Sequence, residues 1–111
     1  MRGYIDLIIL RVLYDGDSYG YAISKKATDI SENSYFMKET TLYSAFARLE
    51  KLQYLRSYPG SHSGGRERTY YTLTEEGLQY YRRKCDEWVL TQDLISKFII
   101  KTERDDDNGS N

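Results

Sequence analysis

Near the middle of the chain, Pro59-Gly60-Ser61-His62-Ser63-Gly64-Gly65-Arg66 breaks the pattern on both sides of it. A run this rich in glycine and serine extends neither a helix nor a strand. The flanking segments, 54–58 and 67–73, are rich in tyrosine and threonine, so the spacing predicts a β-hairpin with a flexible tip. Pro59 sits where the first strand should leave the sheet, which fits an edge strand. Every other periodic segment is helical. The expected class is therefore α+β, mainly α, with one two-stranded excursion.

The first helix is expected over 3–14. Its Ile5, Leu7, Ile8, Ile9, Leu10, Val12 and Leu13 cover most of the circumference, with Asp6 and Arg11 as the main polar interruptions. A helix of that kind is buried on several sides. Asp15-Gly16-Asp17 ends it, and Ser18 is placed to cap a second helix over 19–30. Residues 31–34 form a turn cluster, and 35–37 read as a short strand or an extended lead-in.

The third helix, expected over 39–53, is the most informative. Stepping about 100° per residue, Leu42, Ala45, Phe46, Leu49 and Leu52 gather on one face. Thr40, Thr41, Ser44, Ala47, Arg48 and Lys51 gather on the opposite one, with Glu39 and Glu50 on the flank. The outward face offers hydroxyls, one small residue and two cations, and no carboxylate. Solvated helix faces usually mix both charge signs.

Thr74-Glu75-Glu76-Gly77 opens the last helix with a hydroxyl cap and two acids at the positive end of the helix dipole. The periodic pattern runs on to residue 102, some ~28 residues or ~42 Å. Leu78, Tyr81, Cys85, Trp88, Ile95 and Ile99 repeat at 3–4 spacing, with Gln92 between Trp88 and Ile95. Val89, Leu94, Phe98 and Ile100 widen the apolar sector beyond the ~100° that one-sided burial needs. Such a helix requires a partner. Residues 104–111 read as an acidic, solvated tail.

Composition narrows the function classes. With 111 residues the chain is one domain in length. No apolar run approaches a membrane span, and the N-terminus lacks the features of a signal peptide. One cysteine and one histidine supply neither an internal disulfide nor a structural zinc site, so a reducing, cytoplasmic setting is expected. No catalytic set, cofactor site or metal site is expected. The net charge of −1 hides a division: residues 33–72 hold six basic residues against three acids, whereas 103–107 hold four acids and one arginine.

Three helices followed at once by a hairpin make a winged helix-turn-helix. This arrangement lays its third helix in the DNA major groove while the wing meets phosphates or the minor groove. A groove-facing helix must avoid carboxylates and present short donors, as the outward face of 39–53 does. The competing reading is a winged-helix module for protein–protein contact, which predicts negligible, salt-insensitive DNA affinity.

Thr41-Leu42-Tyr43-Ser44-Ala45-Phe46-Ala47-Arg48-Leu49-Glu50-Lys51-Leu52, then Gly64-Gly65-Arg66-Glu67-Arg68-Thr69-Tyr70-Tyr71-Thr72-Leu73-Thr74-Glu75-Glu76-Gly77, resemble the PadR family of bacterial transcriptional regulators. Gly16-Asp17-Ser18-Tyr19-Gly20-Tyr21 resembles the family's turn into its second helix. The resemblance covers about 5–99. It implies a winged helix-turn-helix over 1–74, a C-terminal dimerisation helix over 75–103, and a homodimeric repressor binding a double-stranded DNA operator of dyad symmetry. A single C-terminal helix resembles the shorter, multidrug-sensing branch, where a tryptophan near the dimer centre stacks planar aromatic effectors. Gln53 stands where many relatives carry glycine, and Ser44 where some carry proline.

The residues expected on DNA are Lys38, Thr40, Thr41, Tyr43, Ser44, Arg48, Lys51, Arg66 and Arg68. Tyr43 borders the apolar face, so packing and phosphate contact are both open to it, and Arg48 could instead pair with a glutamate. Trp88 and Gln92 are the candidate effector contacts, and Trp88 is equally placed to anchor an interface. Tyr81, Cys85, Trp88, Ile95, Phe98 and Ile99 are expected between subunits. Cys85 reads as a small packing residue, and His62 as an exposed loop residue.

Overall fold

Helical periodicity over the first half of the chain becomes three helices around one core. The computed structural model describes residues 2–61 and 67–101. Its elements are α1 (Arg2–Tyr14), β1 (Ser18–Tyr19), α2 (Gly20–Ile30), α3 (Glu39–Lys51), β2 (Leu55–Ser61), β3 (Glu67–Leu73) and α4 (Glu75–Ser96). This is a mainly helical α+β winged helix-turn-helix with a long C-terminal helix. Ile5, Ile9, Leu10, Val12 and Leu13 of α1 are buried, and they meet Ile23 and Ala27 of α2 and Leu42, Ala45, Phe46 and Leu49 of α3. Phe46 stacks on Tyr71 of β3 at 3.9 Å, which fastens α3 to the wing.

The sheet has three strands in the order β1-β3-β2, all antiparallel. The third strand was not expected. Ser18 does not cap α2: the capping position is Tyr19, without a side-chain hydrogen bond. Ser18 and Tyr19 instead pair with Tyr71 and Tyr70. Their backbone groups are satisfied by an otherwise open edge of β3, which leaves the serine hydroxyl no capping task. Pro59 does not end its strand either. It pairs with Thr69 and the strand continues to Ser61. Because β2 lies at the sheet edge, a missing N–H is tolerated there. Residues 35–37 form no strand and belong to the connection into α3, with Met37 buried.

Gln53 takes a left-handed conformation, φ 68°, directly after α3. The Tyr54 N–H donates to the Leu49 carbonyl and the Gln53 N–H to the Glu50 carbonyl, both at 2.9 Å. Those two bonds are a Schellman ending, which favours glycine at the position Gln53 occupies. The next junction is equally specified. Thr74 accepts from the Gly77 N–H at 2.9 Å and donates to the Gln53 carbonyl at 2.7 Å. One hydroxyl thus caps α4 and holds it to the end of α3.

The last helix is shorter than its periodicity suggests. It ends at Ser96, and the bonds of Lys97, Phe98 and Ile99 tighten to i−3 carbonyls, a usual way for an uncapped helix to end. The molecule measures 57 × 30 × 22 Å. At ~1.5 Å per residue, α1 covers only the first part of the ~33 Å that α4 spans. No described helix is long and apolar enough to cross a membrane.

Candidate nucleic-acid interface

The open face of α3 has the character its sequence predicts. Thr40, Ser44, Ala47 and Lys51 are exposed and Thr41 is half-buried. Lys38 is exposed at the N-cap, with extended backbone and no side-chain bond closing the helix start. First-turn N–H groups of α3 lie free of side-chain caps beside Lys38 and two threonines, with the exposed acid Glu39 in the same turn. Uncapped N–H groups at a helix start attract phosphate. The acid nearest the far end of the face is occupied, since Ser57 of the wing donates to Glu50 at 2.6 Å. Tyr43 is packed on one side and open on the other. Its ring meets Phe46 edge-on at 5.5 Å, yet the residue is 47% exposed. Its hydroxyl passes close over Gly20, at the start of α2, where a Cβ would lie 2.5 Å from the Tyr43 oxygen.

The wing is braced at two points against the segment joining α1 to α2. Tyr58 donates to Asp17 at 2.6 Å. The Arg68 guanidinium lies 4.6 Å from the ring centre of Tyr19, whose ring in turn meets Tyr70 edge-on at 5.4 Å. Arg68 is half-buried by this stacking and held at the edge of a cleft of about 620 Å³ between α2, the start of α3 and β3. Arg66 and His62 lie outside the described residues.

One residue departs from expectation. Arg48 belongs by periodicity to the open face, but its guanidinium turns into the seam between α1 and α3. There it donates to Asp6 at 2.7 Å. The Asp6 side chain is 6% exposed and that of Arg48 28%. A carboxylate that deeply buried needs a cation, and Arg48 supplies it. Asp6 was the residue sequence reasoning missed. Its signal was the one acid among the apolar residues of α1, beside Arg11 as the other interior polar residue.

Along α4 the expected intersubunit residues divide. Tyr81 and Cys85 are half-buried on their own protomer, with the Tyr81 ring 5.7 Å from that of Tyr14. Burial, and then a hydrogen bond shared with Cys85, pushes the Tyr81 hydroxyl up to about 12. From Val89 onward the apolar residues are uncovered: Leu94, Ile95, Phe98 and Ile99 are each about half exposed or more. Trp88, Gln92, Ile95 and Ile99 line one open groove of about 430 Å³, in which Phe98 takes no part.

Known proteins resemble this chain along most of its length. Residues 9–83 match the model of the transcriptional regulator PadR-like family. An uncharacterized protein of Lysinibacillus sphaericus is 39% identical over 99 residues, spanning 89% of this chain and 91% of that one. A transcriptional regulator from Clostridium thermocellum has 55% identity and a TM-score of 0.82, over 89% of this chain and 96% of its own. A PadR family transcription regulator from Clostridium difficile R20291 has 38% identity and a TM-score of 0.75, over 86% and 97%. With an exposed hydroxyl-and-cation helix beside a braced wing, and with matches of this extent, the chain belongs to the PadR-like family of transcriptional regulators.

Proposed function

We propose that this regulator is a cytoplasmic, homodimeric repressor that binds a dyad-symmetric operator. α3 enters the major groove, with Thr40, Thr41, Ser44 and Lys51 facing the bases and the near phosphates. Lys38 and the open start of α3 hold one backbone strand, and the wing arginines Arg66 and Arg68 hold the other side of the groove. The observation that carries this reading is the composition of the exposed α3 face. Hydroxyls and cations stand outward, while Glu50 is held by Ser57 at its flank.

The test is a titration of duplex DNA at two salt concentrations. If about three phosphates are neutralised per protomer, a dimer should show a slope of log K against log salt near −5. Lys51→Ala should weaken binding to all duplexes alike and make that slope shallower by ~1.8, one contact in each protomer. Affinity that is negligible and indifferent to salt would favour the protein–protein module instead.

A planar aromatic effector is proposed to bind along α4. The groove beside Trp88 is lined by Ile95 and Ile99, with Thr91, Gln92 and Ser96 as its polar residues, a surface on which a flat ring can stack while polar atoms are recognised. Trp88 is the chain's one tryptophan, so its emission reports this groove alone. Flat aromatic dyes should quench it saturably and lower DNA affinity by the same coupling factor that DNA imposes on dye binding. An unchanged emission across a varied dye panel would leave Trp88 with a packing role.

A further inference from the structure

α1 carries one buried carboxylate, and two other helices reach it. Asp6 Oδ1 accepts from the guanidinium of Arg48, on the last turn of α3, at 2.7 Å. Asp6 Oδ2 faces the hydroxyl of Tyr80, on the second turn of α4, at 3.5 Å. That second contact is long, but Tyr80 has little freedom to leave it. Its ring stacks on Tyr54 at 4.2 Å and 17°, and Arg83 and Lys84 lie over it at 5.6 and 5.5 Å. Tyr54 is the residue whose N–H closes the end of α3. Helix α4 therefore reaches the recognition helix indirectly by two routes, through Tyr54 just past its end and through Asp6 of α1.

Resting on the DNA-binding reading above, we infer that Asp6 is a positioning residue for DNA recognition: it fixes α3 through Arg48 and transmits the orientation of α4 through Tyr80. Arg48 acts from inside the protein rather than on DNA. Releasing it to a phosphate would strand a carboxylate whose side chain is 6% exposed, which is costlier than losing one exposed contact. The pair crosses 42 residues of sequence, so it specifies how α3 sits on α1, not how α3 is formed. Any state of the dimer that tilts α4 must move Tyr80 against Asp6 or carry Asp6 with it. In the second case the guanidinium follows, and with it the last turn of α3.

The experiment uses the full chain and the duplex that the unaltered protein selects from a pool of random-sequence fragments. Arg48→Gln leaves Asp6 charged and unpaired, and should weaken binding at least ~10-fold with the salt slope unchanged. Adding Asp6→Asn to that protein restores an amide pair without a buried charge, and should recover most of the loss. Tyr80→Phe should weaken binding a few-fold in the parent and have no further effect beside Asp6→Asn. A slope shallower by ~1.8 in Arg48→Gln, with no recovery from Asp6→Asn, would show a phosphate contact and overturn the assignment. Parent-like binding by Tyr80→Phe would remove the link to α4. Should the unaltered protein select no duplex, the DNA reading itself falls, and thermal melting then decides the coupling. Tyr80→Phe must lower the midpoint less beside Asp6→Asn than in the parent, and equal shifts would overturn the link. The doubly substituted protein guards against failure to fold, since it contains no unpaired charge.

Discussion

A Gly77→Ala protein is expected to be about 3 kcal/mol less stable than its parent and to melt roughly 10–20 °C lower. Alanine is the better helix former by ~1 kcal/mol, so the propensity of α4 predicts the opposite sign. Geometry decides the matter. A Cβ at position 77 would lie 2.1 Å from the Tyr54 carbonyl oxygen and 2.9 Å from Leu73 Cδ1. The first neighbour is backbone, and it is fixed: the Tyr54 carbonyl accepts from the Thr74 N–H at 3.2 Å. Gly77 is itself held, its N–H donating to the Thr74 hydroxyl that also bonds Gln53. Neither side can retreat without opening the junction between α3, the wing and α4. Glu76→Ala, one residue away and exposed, should stay within ~0.5 kcal/mol of the parent. Thermal melting followed by circular dichroism checks both. A midpoint for Gly77→Ala within a few degrees of the parent would mean that this junction contributes little to stability.

Gly77 also shows what the sequence could and could not disclose. Its place three residues after a capping threonine was legible, and so was the strand-to-helix step. The reason for glycine was not, because the obstructing carbonyl belongs to residue 54. The outward face of α3 was legible because Leu42, Ala45, Phe46 and Leu49 repeat at helical spacing and so fix its opposite side. β1 was not: two residues, Ser18 and Tyr19, are too few to show a period, and only the open edge of β3 makes them a strand. The end of α4 was misread for the converse reason. Phe98, Ile99 and Ile100 prolong the apolar pattern past Ser96, although exposed apolar side chains give a helix end no support. The Asp6–Arg48 pair illustrates the deepest limit. Each residue stands on its helix as periodicity requires, yet their meeting depends on how α1 crosses α3, which no local pattern encodes.

Placing a charge at Ile95 is expected to convert a dimer into a monomer. Along α4, Leu90, Leu94, Ile95 and Trp88 fall in a sector about 160° wide at ~100° per residue, wider than one-sided burial needs, and exposed Phe98 and Ile99 follow just past the helix end at Ser96. Only the first part of α4 meets α1, through contacts such as Tyr14 with Tyr81. Beyond Trp88 the sector is bare, with Leu90 68%, Phe98 76% and Ile99 62% exposed. An apolar surface this continuous marks an interaction site, and a second copy offers the same sector in return, as a two-fold interface requires. Two third helices could then present themselves about one turn of DNA, ~34 Å, apart. Ile95 lies within the bare sector and lines the groove beside Trp88, so Ile95→Glu puts a carboxylate on each side of the contact. Loss of the side chain's burial, ~2 kcal/mol per protomer, together with repulsion between the acids, should raise the dimer dissociation constant by at least a hundredfold. Sedimentation velocity at micromolar concentration should find the parent dimeric and the variant monomeric. DNA affinity should fall with it, because a monomer engages one half-site and forfeits the effective concentration of the second. Asp93→Asn, on the opposite side of α4 from Ile95 and exposed, should leave both measurements unchanged. A parent protein that sediments as a monomer would end the dyad argument, and a dimer unaffected by Ile95→Glu would move the interface to another face of α4.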